Sequence, residues 1–432
     1  MTGEDTTRDA RDAPDLDDRD LDDRDLMGAD DTTPMDPYDL APDEITAFME
    51  ELGEPSYRTD QVISWIDRGI DDPHEMTNLP LELRDVLAER FAPTRPRLVA
   101  HTVADGGRTH KLLLEYRDGV AIETVLMLYP NRATVCISTQ AGCAMGCPFC
   151  ATGQAGFRRQ LSAGEVIRQV MVADAVLRTG ELSSAVDVAD DDRFELPAGH
   201  PQRVTNVVFM GMGEPLANMP ATLATVDYLH ERLGLSARNI TVSTVGLVPA
   251  MRRLARHGKP VTLAVSLHAA DDALRDDLVP VNRQHPLAEV EAAMEEYRAA
   301  TNRRVSIEWC LIGGVNDARE QAVGLARIAR RTRSHVNVIP MNPTPGVRWQ
   351  EPDDVSIAQF MATLEQEGAN ATLRDTRGRD ADAACGQLLA SYTLGEGRRL
   401  PVAVGAADRI DTRLRDHDGG LGPDTDAGGG RR

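Results

Sequence analysis

Aromatic side chains are scarce in this sequence, with three Trp, seven Tyr and seven Phe among 432 residues. Such a chain has little material for an aromatic platform on which nucleic acid bases stack. Cysteine is also sparse, because six residues are too few for a secreted scaffold held together by disulfides. The clustered thiols therefore need a chemical explanation, as metal ligands or as catalytic groups.

Long apolar runs are absent as well. No stretch approaches the roughly 18 apolar residues of a membrane span. The first 25 residues are acidic, where a signal peptide would be basic and then apolar. We therefore expect a soluble cytoplasmic protein that does not bind membranes.

Negative charge is abundant but unevenly placed. The chain carries 69 acidic and 47 basic side chains, for a net charge of −22. Residues 1–45 hold 17 of the acidic and four of the basic side chains, and residues 181–200 hold six and one. Most of the net charge thus belongs to appended segments, so it does not exclude a nucleic acid partner for the remainder.

Composition and periodicity divide the chain into four segments. Residues 1–42 are low in complexity and dense in acidic side chains, which predicts a disordered tail. Helical spacing of apolar residues predicts a small helical domain over residues 43–98. A large domain is expected over residues 99–398, and a second disordered tail over residues 399–432.

The large domain begins with a predicted hairpin, "LLLEYRDGVAIETVLMLY", which turns at Asp118 and Gly119. From "RATVCIST" onward, segments typical of strands and of helices alternate. This order predicts an α/β fold with a parallel sheet and right-handed crossovers, either open or rolled into a barrel. In such folds the active site lies at the carboxyl ends of the strands.

One loop holds half of the cysteines. "GCAMGCPFC" places Cys143, Cys147 and Cys150 directly after the strand "RATVCIST". Four thiolates would saturate a zinc ion or a four-iron cluster, whereas three leave one iron of such a cluster open to a substrate or cofactor. A zinc knuckle remains the alternative, with Cys136, Cys385 or a histidine as its fourth ligand, although zinc sites usually repeat C-x2-C twice.

Polar residues follow several of the later strands. "FMGMGEPLAN" places Gly213 and Glu214 after a strand; glycine lets the backbone approach a ligand, and a carboxylate can accept a hydrogen bond from an ammonium group. Three further strand ends carry Ser243, Ser266 with His268, and Asn342. Each residue alone is typical of a turn or a helix cap. Their recurrence at successive strand ends favours a single binding site.

The spacing C-x3-C-x2-C, with Phe149 before the last cysteine, resembles the signature of radical S-adenosylmethionine (SAM) enzymes. The resemblance implies a partial (β/α)6 barrel in which the three thiolates hold a 4Fe-4S cluster. The open iron would chelate the amino and carboxylate groups of SAM, and one electron would cleave SAM to a 5'-deoxyadenosyl radical. The cofactor contacts that the resemblance implies are Gly213, Glu214, Ser243, Ser266, Leu267, His268 and Asn342.

Five segments together resemble the RlmN family over residues 45–393: "TQAGCAMGCPFCATGQAGFRRQL", "GMGEPLAN", "VSLHA", "MNPTPG" and "TRGRDADAACGQL". The resemblance implies methylation of C2 of a specific adenine in 23S ribosomal RNA and in transfer RNAs, with two SAM molecules per turnover. C2 is an electrophilic carbon without a nucleophilic lone pair, so it cannot attack the SAM methyl group. A radical must be delivered to it.

The resemblance also implies roles for residues outside the cysteine loop. Cys385 would take a methyl group from the first SAM, and Cys136 would release the methylated base by forming a disulfide with Cys385. Glu123 would act as the general base for the C2 proton, a task in which Cys136 is the alternative. Taken alone, each cysteine would be a small core residue, and we expect this of Cys310.

RNA binding has no single motif. Arginine clusters could contact phosphates, among them Arg158 with Arg159, Arg252 with Arg253, and Arg330 with Arg331. The helical domain, with Arg58 as a candidate contact, resembles the family's RNA-binding domain. We expect recognition of shape and backbone and a base extruded from its stack. A flavodoxin-type electron donor and a monomeric state complete the prediction. The alternatives are a related enzyme that methylates C8 and a zinc-stabilised RNA-binding protein without catalysis.

Overall fold

The computed structural model describes residues 35–181, 194–342, 347 and 349–374. Cys385 lies outside the described residues, as do most of both predicted tails. The described part forms a small helical domain and a larger α/β domain. None of its helices is long and apolar enough to span a bilayer.

The helical domain contains three helices, α1 Pro42–Glu51, α2 Ser56–Ile66 and α3 Leu81–Arg90. Apolar residues at helical spacing place one face of each helix in a common core; Ile45 and Met49 of α1 pack there with Val62 and Ile66 of α2. Gly53 adopts a positive φ of 74° directly after α1, in the conformation that commonly ends a helix. The predicted helical domain is therefore confirmed.

The folded chain begins before residue 43. Met35 pairs with Phe91 in a parallel bridge, and both Asp36 and Tyr38 are buried. The Tyr38 hydroxyl donates to the carbonyl of Ile66 at 3.0 Å. The prediction of disorder over residues 1–42 is thus wrong from residue 35 onward, because these polar groups find partners in the folded chain that composition does not reveal.

One ten-stranded sheet forms the framework of the α/β domain. Three antiparallel strands, β1 Arg97–Ala104, β2 Thr109–Glu115 and β3 Ala121–Tyr129, form one end of it. A separate two-stranded sheet, β5 Gln140–Gly142 with β6 Phe157–Gln160, flanks the cysteine loop. The parallel strands of the main sheet are β4 Arg132–Cys136, β7 Asn206–Phe209, β8 Ile240–Thr244, β9 Thr262–Ser266, β10 Ser306–Leu311, β11 His335–Pro340 and β12 Ala371–Leu373.

Helices connect each parallel strand to the next. They are α5 Ala163–Thr179, α6 Met219–Asp227, α7 Val248–Arg256, α8 Asp272–Leu278, α9 Leu287–Thr301, α10 Arg319–Thr332 and α11 Asp354–Gln366, and the short α4 Ala151–Ala155 lies in the cysteine loop. Ser162 caps α5 and forms a capping box with Glu165, an arrangement that stabilises a helix by about 1 kcal/mol. The alternation confirms the predicted α/β fold, a partial barrel of six β/α units with β12 as an edge strand.

The sequence did not predict three of the strands, namely the exposed strand β1 and the short strands β5 and β6. β1 is largely exposed, so its sequence carries no run of buried apolar residues. β5 and β6 have only three and four residues. Because β1 begins at Arg97, the large domain starts slightly before the predicted boundary at residue 99.

The helical domain docks on α5 through an apolar core and a buried ionic cluster. Ile167 and Met171 of α5 join the core of the helical domain. Between them Arg168, fully buried, contacts Asp71 at 2.5 Å. Asp71 also binds Arg95 at 2.6 Å. These contacts fix the helical domain to the helix that follows the cysteine loop.

Candidate functional site

The cysteine loop is held in shape by its own backbone. Cys143 donates from its amide to the carbonyl of Gly156 at 3.1 Å, and Cys150 donates to the carbonyl of Cys147 at 3.1 Å. Gly142 has a φ of 78°, and a Cβ there would lie 1.8 Å from the carbonyl oxygen of Gly156. Any residue larger than glycine would therefore force the two ends of the loop apart.

The three thiols border one cavity of about 170 Å³ at the carboxyl ends of the parallel strands. Burial raises the pKa of Cys143 to about 12 and raises the pKa of Cys147 well above its ordinary value. Thiols in this setting become thiolates only when a cation offsets the loss of hydration. The donor set therefore suits a group that brings several positive charges, as an iron–sulfur cluster does.

Three ligands of a four-iron cluster bind three different irons, so the three thiols need not meet at one point. Within the described ranges, no three Cys, His, Asp or Glu side chains converge closely enough to hold one ion. Cys385, a predicted fourth ligand of the alternative zinc site, lies outside these ranges.

Glu214 forms one wall of the same cavity. Its carboxylate is 3% exposed and accepts backbone hydrogen bonds from Leu216 at 3.0 Å and from Val245 at 2.9 Å. Burial raises its pKa to about 7. No ion pair reaches Glu214 from the described part of the chain, so a cationic ligand in the cavity would find a carboxylate already fixed in place.

Gly213 allows this carboxylate to lie against β5. A Cβ on Gly213 would lie 2.5 Å from the Cβ of Gln140, and the φ of Gly213 is 102°. Gln140 in turn accepts a hydrogen bond from the Glu214 amide at 2.8 Å. The glycine therefore serves close packing against β5. It also borders the cavity, and its predicted contact with a ligand remains a prediction.

The same cavity is also lined by the other polar residues that the strand ends predicted, namely Ser243, Ser266, His268 and Asn342. His268 has a positive φ of 59°, and its Nδ1 accepts a hydrogen bond from the amide of Cys310 at 3.0 Å. Burial lowers the pKa of His268 to about 3. The imidazole is therefore neutral, with its proton on Nε2 as a hydrogen-bond donor.

Leu267 is the predicted cofactor residue that does not border the cavity. Its side chain is fully buried in the core of the α/β domain. Its amide donates to the carbonyl of Glu308, and its carbonyl accepts from Arg275 at 3.1 Å. Leu267 thus holds its neighbours Ser266 and His268 in position.

Glu123 and Cys136 lie beside the cavity, on the same face of the sheet. Cys136 pairs with Val208 of β7, and Met210, two residues further on, borders the cavity. Val125 pairs with Cys136 on the other side, and Glu123 is two residues from Val125. Paired residues and residues two apart point to one face of a sheet. Both side chains are buried.

The Glu123 carboxylate contacts a lysine. Oε1 lies 3.2 Å from Nζ of Lys111, on the neighbouring strand β2. Cys385, the predicted partner of Cys136, lies outside the described residues.

Glu308 is a cavity residue that sequence reasoning missed. It lies on β10, and its Oε1 accepts hydrogen bonds from Ser306 at 3.2 Å and from Asn337 at 2.8 Å. The sequence feature that could have indicated Glu308 is the presence of an acidic residue inside the apolar strand segment "IEWCLI". Such an acid is rarely buried without a structural or chemical reason.

Several arginines proposed as phosphate contacts are engaged within the protein. Arg159 lies 2.7 Å from Glu165 and 2.6 Å from Asp118. Arg252 pairs with Glu296, and Arg331 pairs with Glu291. Arg58 donates to Gln61 and to the carbonyl of Asn78. Arg158, in contrast, is exposed.

Two family models match the two domains. The model described as the N-terminal domain of ribosomal RNA large subunit methyltransferase matches residues 35–92. The model of the radical SAM superfamily matches residues 137–326. The first match begins at the residue where the described chain begins, and the second covers the cysteine loop and most of the parallel strands.

Whole-chain relatives agree with these matches. A protein of Parafrankia sp. and one of Thermobifida fusca, both named Probable dual-specificity RNA methyltransferase RlmN, are 51% and 47% identical to this chain. The alignments cover 82% of this chain in each case, and 91% and 94% of those proteins. A solved radical SAM methyltransferase from Sphaerobacter thermophilus has a TM-score of 0.75 and 45% identity, over 83% of this chain and 100% of that one. This chain therefore belongs to the RlmN family of radical SAM RNA methyltransferases, whose superfamily implies a 4Fe-4S cluster and SAM as cofactors.

Proposed function

We propose that this protein methylates C2 of a specific adenine in 23S ribosomal RNA and in transfer RNAs, in the cytoplasm, with two SAM molecules per turnover. One observation carries the proposal. Three thiols, two of them buried and that of Cys150 half-buried, border one cavity together with a buried carboxylate that has no ion pair among the described residues. A further cysteine and carboxylate share the face of the sheet beside it.

Cys143, Cys147 and Cys150 would hold the 4Fe-4S cluster in this cavity. The bound cluster supplies the electron that cleaves SAM to a 5'-deoxyadenosyl radical. Glu214 would accept hydrogen bonds from the SAM ammonium group, with Gly213 allowing the close approach. Further contacts to SAM would come from Ser243, Ser266, His268 and Asn342, with Leu267 positioning two of them.

Cys385 would carry the methyl carbon. Its thiolate attacks the methyl group of the first SAM, which leaves as S-adenosylhomocysteine, and gives S-methylcysteine. The radical from the second SAM then removes one hydrogen from this methyl group. The resulting carbon radical adds to C2 of adenine and joins protein and RNA covalently.

Glu123 and Cys136 would complete the reaction. Loss of the C2 proton to Glu123 and of one electron restores the aromatic ring, and that electron balances the one supplied at the start. The Cys136 thiolate then attacks the sulfur of Cys385: an S–S bond forms, the S–C bond breaks, and the carbon takes up a proton to become the methyl group. A thiol reductant must reduce the disulfide before the next turnover.

The helical domain would contribute RNA contacts, and the target base would leave its stack to reach the cavity. A flavodoxin-type protein would supply electrons to a monomeric enzyme.

Mass spectrometry of RNA treated with protein, SAM and reductant tests the proposal. We expect 2-methyladenosine. A methyl group at C8, or no methyladenosine, would reject the C2 assignment. Cys136→Ala should accumulate a covalent complex of protein and RNA through Cys385. The matched control Cys310→Ala should release methylated RNA, because Cys310 has no part in the proposed steps.

A further inference from the structure

Arg275 is a fully buried arginine next to the cavity that is bordered by the three thiols and Glu214, called the SAM cavity below. It lies in α8, near the loop that follows β9, and none of its side chain is exposed to solvent. Arginine is almost never fully buried unless it is paired. Its partners therefore indicate what the side chain does.

The guanidinium donates to backbone carbonyls at the ends of two neighbouring strands. Its Nη2 contacts the carbonyl of Val245 at 2.5 Å, and its Nε contacts the carbonyl of Leu267 at 3.1 Å. Nη2 also reaches the carbonyl of Ser266 at 3.4 Å. A fourth contact, from Nη1 to Oδ1 of Asn282 at 2.7 Å, orients the group from the other side.

These carbonyls belong to the segments that form the cavity. The Val245 amide donates to the Glu214 carboxylate, and Leu267 lies between the cavity residues Ser266 and His268. The guanidinium thus ties the segment after β8 to the segment after β9. Its five fixed donors suit this task, whereas a lysine could reach only part of the set.

The positive charge of Arg275 is not used in a carboxylate ion pair. In the ranges that the structure describes, no carboxylate lies within ion-pair distance of it. Leu274 and Leu278, of the same helix α8, pack in one apolar cluster with Cys147. Burial lowers the pKa of Arg275 to about 10, and this effect is opposed by Cys147 and, after it, by Asp272 and Asp276. The charge thus lies on the helix that packs against a cysteine that would bind the cluster.

We propose that Arg275 is a positioning residue that ties together the two strand ends of the SAM cavity and holds a buried positive charge behind the cluster. A 4Fe-4S cluster with three thiolates has a net negative charge, and reduction adds another. A nearby buried cation favours the reduced state, because charge interactions are poorly screened inside a protein. Arg275 therefore raises the reduction potential of the cluster.

Two substitutions separate position from charge. Arg275→Gln removes the charge, and Arg275→Lys keeps it but loses most of the hydrogen bonds. The midpoint potential of the reconstituted holoprotein is measured by redox titration with electron paramagnetic resonance, and the SAM dissociation constant by equilibrium dialysis with the oxidised protein. Arg168, a second fully buried arginine, provides the matched control in Arg168→Lys.

For Arg275→Gln we expect a lower potential, equivalent to about a tenfold change in the ratio of oxidised to reduced cluster, or about 59 mV for one electron. For Arg275→Lys we expect the wild-type potential and about tenfold weaker SAM binding, from loosened strand ends. Arg168→Lys should change neither quantity.

Equal potentials in wild type and Arg275→Gln would overturn the proposal, as would the same fall in both Arg275 variants. If Arg275→Gln fails to retain its cluster, the proposal is tested with Arg275→Lys alone. Unchanged SAM affinity in Arg275→Lys would overturn the proposal. Weaker SAM binding together with the wild-type reduction potential would support it. These readouts do not depend on which adenine carbon is methylated, so they can fail while the proposed function stands.

Discussion

Two fully buried carboxylates in this protein have opposite surroundings. Asp71, at the junction between the domains, contacts two arginines, Arg168 and Arg95. Glu214, at the cavity, receives hydrogen bonds from two backbone amides and from Thr244 but contacts no cation among the described residues, and burial raises its pKa to about 7. Both side chains are fixed, but only Asp71 has its charge matched within the chain.

The difference shows that the partners of a buried charge indicate whether the charge serves stability or binding. A buried charge matched by its own chain holds elements together, and removing one partner leaves the other uncompensated. A buried charge that borders a cavity and has no counter-ion from its own chain is available to bind a ligand of opposite charge. The first case predicts effects on stability and the second predicts effects on binding.

The largest expected effect lies among the cavity cysteines. Cys147→Ala should lose the iron–sulfur chromophore and abolish methylation, because two thiolates cannot retain the cluster that three would hold. Iron analysis and RNA methylation measure this. Cys310→Ala, at another cysteine that lines the same cavity, should keep both iron and activity. Equal losses in the two variants would contradict the assignment of Cys147 as a cluster ligand and of Cys310 as a residue that only lines the cavity.

Next in size is the matched charge at the domain junction. Arg168→Met should lower the free energy of unfolding by about 3–5 kcal/mol, because Asp71 would lose a buried partner. Denaturant unfolding measures this loss. Arg178→Met breaks a partly exposed pair with Asp174 and should cost less than about 1 kcal/mol. Iron content per folded chain should remain at the wild-type value in both variants.

At the unmatched carboxylate the expected change is in binding. Glu214→Gln should weaken SAM binding about 10- to 100-fold, the worth of a hydrogen bond to a charged group, with less effect on stability than Arg168→Met. Equilibrium dialysis provides the measurement. The control Glu308→Gln changes a second cavity carboxylate, which unlike Glu214 lies within 3.7 Å of an arginine, Arg374, and it should affect SAM binding less.

The smallest effect concerns pH. Burial raises the pKa of Glu214 from 4.5 to about 7, so between these values the folded chain binds more protons than the unfolded chain. Glu214 should therefore reduce stability as pH rises from about 4.5 to about 7. SAM affinity should rise about tenfold between about pH 6 and 8, as the carboxylate ionises. A wild-type profile as flat as that of Glu214→Gln would contradict this.

Sequence reasoning found those parts of the fold and site that repeat or cluster along the chain. The parallel strands have periodic helices between them, and the three cysteines and the "GMGEPL" segment are contiguous. Several predicted strand-end residues, including Ser243 and His268, do border one cavity. Their chemical roles remain predictions.

What sequence reasoning missed depends on partners that are distant along the chain. Asp36 binds groups beyond residue 90, so its acidic context suggested only a tail. Arg275 and Glu308 acquire their surroundings from several strands at once. Leu267 lies within a row of cavity residues but points into the core, because alternate residues of an extended segment face opposite sides.

In the proposed reaction, the methyl carbon becomes a sulfur-bound methylene group before it is joined to C2 of adenine. The most direct measurement is mass spectrometry of RNA methylated over many turnovers with SAM that carries a CD3 group. We expect 2-methyladenosine with two deuterium atoms, because one is abstracted and replaced by a solvent proton. A product that retains all three deuterium atoms would contradict the proposed reaction.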